Sequence, residues 1–268
     1  MRRAVFTLAL VPLVVSCGAV SSVRDPNAGL VDKKAGIGSS RIVVTSHIDF
    51  PVDESFRTTG AVDYEQGAGI IESTSDGEFA PEIFTREATY EPLGNEGLEP
   101  IDSRRWVRYD PPRNPLGDFE PLIFETYFGE SPTEMLDFLR AGTSVEKVAE
   151  GKERGEQVTR YRARLYLERA LQRIPANQRD YFRHDFGWCW ADFEKTGVPL
   201  EFAVDAKGRL RRVDVTSFCK GVRSDWMIEF FDYGIDVDAK APPADEVMTV
   251  EELDQLWDQL AASSETDD

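Results

Sequence analysis

Histidine is almost missing from this 268-residue chain, which has only His47 and His184, far apart in sequence. A histidine-based metal site or catalytic triad therefore has little to build on. Gly-x-Ser-x-Gly, the P-loop and His-Glu-x-x-His are all absent. Cysteine is scarce too: there are three, with no Cys-x-x-Cys spacing, which speaks against a redox-active pair. Basic residues are outnumbered, 31 against 49 acidic, for a formal charge of −18. So anionic a surface disfavours nucleic acid and anionic lipid headgroups as electrostatic partners. No apolar run reaches the roughly 20 residues of a membrane-spanning helix. Carboxylates are so numerous that chance acid pairs are expected, and they alone do not indicate glycosidase chemistry. Asp236-Val237-Asp238 is too short for a calcium loop. The expectation is a non-enzyme, with no catalytic residues, no metal and no cofactor.

The most informative segment present is the first seventeen residues. Arg2 and Arg3 precede an apolar run from Ala4 to Val15, which closes on Val14-Val15-Ser16-Cys17. A basic start, a short apolar stretch and small residues before a cut describe a secretory signal peptide. A cysteine directly after the cut is similar to a bacterial lipoprotein signal, in which that cysteine becomes the acylated first residue. The expected address is the extracytoplasmic face of the cell membrane, with the chain anchored by lipid on Cys17. Without residues 1–16, which carry Arg2 and Arg3, 29 basic residues face 49 acidic ones, a charge of −20. Cys189 and Cys219 then fold in an oxidising compartment and are expected to pair. That bridge would contribute roughly 3–4 kcal/mol through loop closure, and two free buried thiols are the alternative. Trp188 and Trp190 flank Cys189, either shielding a disulfide or forming an aromatic rim at a lipid or partner surface.

Residues 17–40 read as the lipidated cysteine and a flexible tether with a reach of roughly 25 Å. Residues 41–262 read as one domain, and 263–268 as an acidic tail. Strands are expected at Ile42–Thr45, Arg57–Tyr64, Gly69–Glu72, Glu82–Tyr90, Arg105–Tyr109 and Gln157–Leu165. Residues 199–217 form a hairpin signal around Asp205-Ala206-Lys207-Gly208, and Trp226–Tyr233 adds a strand. Helices are expected from Ser131, with Pro132 at its first position, over Tyr166–Ile174, and after Thr249, whose capping box is completed by Glu252. The last helix carries a stripe of Leu253, Leu256, Trp257 and Leu260. Strands, helices, strands and a helix in that order indicate an α+β domain with a mostly antiparallel sheet.

Five segments in order carry a family resemblance. They are Arg57–Asp63, Arg105–Asp110, Gly155–Ala163, the hairpin Pro199–Asp205 with Gly208–Arg212, and Phe231–Gly234 with Ala241–Val247. Together with the signal they resemble the actinobacterial lipoproteins of the LppX/LprA/LprF/LprG type, which have a LolA/LolB-like fold. The resemblance covers about residues 57–250. It implies a curved sheet, a half-barrel, with helices packed on its concave face, and a lipid or glycolipid ligand whose acyl chains lie in an apolar cavity. The chain departs from the pattern in the longer, more polar segment 65–103 and in Cys189 and Cys219. Such a cavity needs only apolar walls, at about 0.8 kcal/mol per buried methylene, and a few polar groups at its mouth. Candidate wall residues are Met135, Leu136 and Leu139 from the first helix and Leu167 and Leu171 from the second. Phe202, Val204 and Val213 are the candidates from the sheet. The alternative is that these residues fill a closed core, in a non-catalytic envelope module that interacts with, or regulates, a protein partner.

Overall fold

β-Branched and aromatic residues alternating with polar ones build many of the described strands. The computed structural model describes residues 38–49, 53–74, 81–110 (apart from 97, 99 and 102), 132–139 in part, 145–172, 193 and 195–264. Cys17 and Cys189 lie outside the described residues, as do the side chains of Leu167 and Cys219.

Two antiparallel meanders make up the sheet. The first contains β1 (Ser39–Asp49), β2 (Asp53–Asp63), β3 (Ala68–Thr74), β4 (Glu82–Phe84), β5 (Thr89–Pro92) and β6 (Trp106–Tyr109). The second contains β7 (Glu146–Glu153), β8 (Glu156–Leu165), β9 (Val198–Asp205), β10 (Leu210–Cys219) and β11 (Val222–Phe231). They are zipped together by β1 and β11, in register from Arg41 opposite Phe231 to Asp49 opposite Arg223. A short β12 (Val247–Thr249) adds to β6 in parallel. The order is β12-β6-β5-β4-β3-β2-β1-β11-β10-β9-β8-β7, so the sheet is unclosed. Twelve strands, each with the usual twist, do not lie flat, and the sheet is curved.

Helix is sparse among the described residues. α1 (Leu167–Leu171) follows β8, and α2 (Val250–Ser264) follows β12. Met135, Leu136 and Leu139 are also helical. The start of α2 is the capping box expected from sequence. The Glu252 N–H donates to Thr249 Oγ1 at 3.3 Å, and the Thr249 N–H donates to Glu252 Oε2 at 2.8 Å. Its apolar stripe is buried only at Leu253, which packs with Val107, Tyr109 and Met248, whereas Trp257 is exposed.

Several boundaries differ from the sequence reading. Ser39 and Ser40, assigned there to the tether, open β1 and are buried. The expected strand Glu82–Tyr90 is two strands, because Thr85 turns the chain: its Oγ1 accepts from the N–H groups of Glu87 and Ala88. β7 has no counterpart in the reading. Five of its eight residues are charged and almost all of it is exposed, as suits an outermost strand. β12 was also missed, since three residues carry no periodicity. The last strand of the second meander ends at Phe231 and not at Tyr233.

Candidate functional site

Register places one apolar row across five neighbouring strands. Val44 lies opposite Ile228, Ile228 opposite Val213, Val213 opposite Phe202, and Phe202 opposite Tyr161. The last two rings stack, with centroids 5.2 Å apart. A second row runs through Trp226, Val215, Leu200 and Ala163. Period-2 alternation sends the intervening residues to the other face, which carries Arg160, Ala203, Arg212 and Glu229 in one row and Arg162, Glu201 and Asp214 in the next.

The sequence-derived wall residues come together on the apolar face. Met135, Leu136, Leu139, Leu171, Phe202, Val204 and Val213 belong to one buried cluster, which also takes in Val145, Leu165, Phe193 and Phe230. All seven are only 1–4 % exposed, so these side chains are sheathed by protein atoms on every side. Leu167 lies in α1, with its side chain outside the described residues. Trp226 Nε1 is buried against this layer with no hydrogen-bond partner.

The opposite face holds a polar groove of about 310 Å³ lined by Glu153, Arg160, Glu201, Phe202, Ala203, Arg212 and Asp214. Ala203, the small residue in its row, leaves room between the long side chains. Its charges are matched within the groove. Arg160 donates to Glu153 Oε1 at 2.6 and 3.1 Å, Arg212 takes both oxygens of Asp214 at 2.6 and 2.7 Å, and Arg162 takes Glu201 at 2.8 Å. The hydrogen bond to Asp214 pushes the Arg212 guanidinium above its ordinary value. Beside the groove, Arg154 binds Glu229 at 2.8 Å and lies 3.9 Å over the Phe231 ring.

A third cluster, missed from sequence, sits where the β9–β10 turn meets the start of β1 and the residues just after β2 and β11. Asp205 Oδ1 accepts the N–H groups of Lys207 and Arg209, each at 2.9 Å, and Oδ2 accepts Arg209 Nε at 2.8 Å. Arg209 and Arg211 lie 4.6 and 5.5 Å from the centre of the Tyr233 ring. The Tyr233 hydroxyl donates to the Leu210 carbonyl, and Tyr64 and Ser40 share a hydrogen bond of 2.9 Å between their hydroxyls. A signal was available. In Leu210-Arg211-Arg212-Val213-Asp214-Val215 the apolar spacing is three and then two, and the extra residue is the bulge observed between Leu210 and Arg212.

Burial pushes both phenols upward, opposed at Tyr64 by the Ser40 hydrogen bond and at Tyr233 by Arg211 and Arg209. A phenol whose folded-state value is raised contributes stability that is complete below the unfolded value, about 10. That stability is lost as pH rises through the folded value. Denaturation midpoints followed from pH 8 to 12 should therefore fall above about pH 10, and Tyr64→Phe should flatten part of the fall.

Other expected chemistry is placed as follows. The His47 Nδ1 atom is 3.0 Å from Ser55 Oγ, across β1 and β2, and His184 lies outside the described residues. Among the described residues no group of three His, Cys, Asp or Glu is arranged to hold a metal. No described helix is long and apolar enough to cross a membrane.

No protein-family model matches the chain, and no curated protein matches it. Among solved structures, it is similar to the Mycobacterium tuberculosis lipoprotein LppX at 12% identity and a TM-score of 0.44, covering 76% of this chain and 91% of that one. LprF from Mycobacterium bovis aligns at 12% identity and a TM-score of 0.42, covering 78% and 91%. An uncharacterised conserved protein from Thermus thermophilus aligns at 10% identity and a TM-score of 0.38, covering 83% and 96%. LppX and LprF are among the names of the family type whose segments the sequence resembles.

Proposed function

We propose that this chain is a non-enzymatic envelope lipoprotein that holds the acyl chains of a lipid between the apolar face of its sheet and the helical segments on the concave side. The carrying observation is the continuous apolar layer of β1, β11, β10, β9 and β8, pooled in one cluster with Met135, Leu136, Leu139 and Leu171. Each methylene moved from water into such a layer contributes about 0.8 kcal/mol, so a 16-carbon chain gains on the order of 10 kcal/mol before ordering costs. The layer is closed at the seven wall residues, so a lipid tail enters by taking over contacts that the helical residues now make. Cys17 is the proposed acylation point, on the extracytoplasmic face of the membrane.

A second reading is favoured by the same near-zero exposure. A closed core suits an envelope module that binds or regulates a protein partner and carries no lipid.

One experiment separates the two. The full chain and its Cys17→Ser variant are expressed in a bacterium that acylates lipoproteins, and cells are fractionated. The parent is expected in the membrane fraction and the variant in the soluble fraction. Organic extraction of the purified soluble variant should release acyl lipid at close to one molecule per chain. Extracts without lipid favour the closed module, and a variant that stays with the membrane removes the anchor at Cys17.

A further inference from the structure

Among the described residues, Arg211 carries a charge that the fold only half matches. It is 5 % exposed, and its Nε has no hydrogen-bond partner. Its nearby carboxylate is Asp205, whose Oδ2 lies 3.9 Å from Arg211 Nη1. That oxygen is already held by Arg209, through Nε at 2.8 Å and Nη2 at 2.7 Å, and Oδ1 is taken by two backbone N–H groups. Two guanidiniums thus share one carboxylate, which leaves one positive charge over in a buried place. Burying an ion without its counter-ion is strongly unfavourable. The chain has 49 acidic residues, and the arginines of the opposite face each hold a carboxylate of their own. Arg211 differs from these three in having no carboxylate of its own among the described residues, and it adjoins the apolar layer. Leu210, its neighbour, is part of that layer, and Tyr64 and Tyr233 pack against it.

We propose that Arg211 receives an anionic oxygen group, carboxylate or phosphate, of the acylated ligand, whose chain continues into the apolar layer that begins at Leu210. This rests on the lipid-binding reading above and adds the chemistry of the headgroup. The Arg209–Asp205 pair holds the turn in place, and Tyr233 supports the guanidinium by its ring. Nε is the fully buried donor without a partner, and Nη1 is held only at 3.9 Å, so both remain for the ligand.

The test compares palmitate with methyl palmitate, which has the same chain and no charge, and with inorganic phosphate. Binding to the delipidated full chain is read by displacement of a fluorescent fatty acid, and phosphate by the thermal midpoint. The acid is expected to bind at least about tenfold tighter than the ester, the effect of one charge-assisted hydrogen bond. Arg211→Gln should abolish that preference, and Arg211→Lys should keep part of it. Equal affinity for acid and ester in the parent overturns the subsite and leaves lipid binding standing. Failure of both lipids to bind overturns the lipid-binding reading. In that case, a phosphate-dependent midpoint lost in Arg211→Gln assigns the site to a free anion, and no phosphate effect removes the site as well. The acid-to-ester ratio of the parent needs no variant, so the proposal is decided even if Arg211→Gln fails to fold.

Discussion

Asp205→Ala is expected to destabilise the fold by about 3–5 kcal/mol, the cost of removing one partner from a buried ion pair. The side chain has three jobs, and alanine ends all of them. It closes the β9–β10 turn by accepting the N–H groups of Lys207 and Arg209. It neutralises Arg209, whose guanidinium reaches Oδ2 at 2.7 Å. It is also the carboxylate 3.9 Å from the buried Arg211. Without it two guanidiniums face each other beside the Tyr233 ring. Urea denaturation measures the loss. Asp205→Asn keeps an oxygen for the turn and removes the charge, so its loss should fall between parent and alanine. An asparagine variant as stable as the parent would show that the turn alone matters and the charge pairing contributes nothing.

Gly60→Val is the second large effect, at about 3 kcal/mol or more, from overpacking that reaches backbone. Gly60 sits in the middle of β2, opposite Ile42 on one side and Ile71 on the other. A Cβ there would stand 2.5 Å from the Ile70 carbonyl oxygen and 2.8 Å from Ile71 Cγ2. The side-chain clash can relax by rotation. The carbonyl is part of the ladder and cannot move without parting β2 from β3. A midpoint shift within error of zero in urea would show that the sheet yields at this point. Gly69 on β3 is a second such position: an added Cβ would strike the Phe84 ring at 2.3 Å and the Ala61 carbonyl oxygen at 2.8 Å.

Local patterns were legible where a residue type has one physical use. The Thr249–Glu252 capping box, the Asp205–Gly208 turn and the alternation of β9 are all nearest-neighbour features, and each is found where the sequence puts it. Met135, Leu136, Leu139, Leu171, Phe202, Val204 and Val213 were legible as apolar positions and share one buried cluster. β7 was not, because an outermost strand of Glu and Lys takes its hydrogen bonds from β8 and shows no burial pattern of its own. The Arg211 cluster was not legible either. Its partners come from residues 40, 64, 205, 209 and 233, and no short window contains them.

What the sequence determined by itself is the kind of surface that strands such as β9 and β10 present, since that depends on a few adjacent side chains. Only the tertiary structure decided that β1 pairs with β11, nearly the whole domain apart, and so joined two meanders into one sheet. The reason is that ladder hydrogen bonds are the same for every residue type, and partner choice therefore depends on which apolar faces coincide once the chain has closed. That closure put Phe202 in one buried cluster with the helical leucines, and it left the guanidinium of Arg211 enclosed with half a counter-ion.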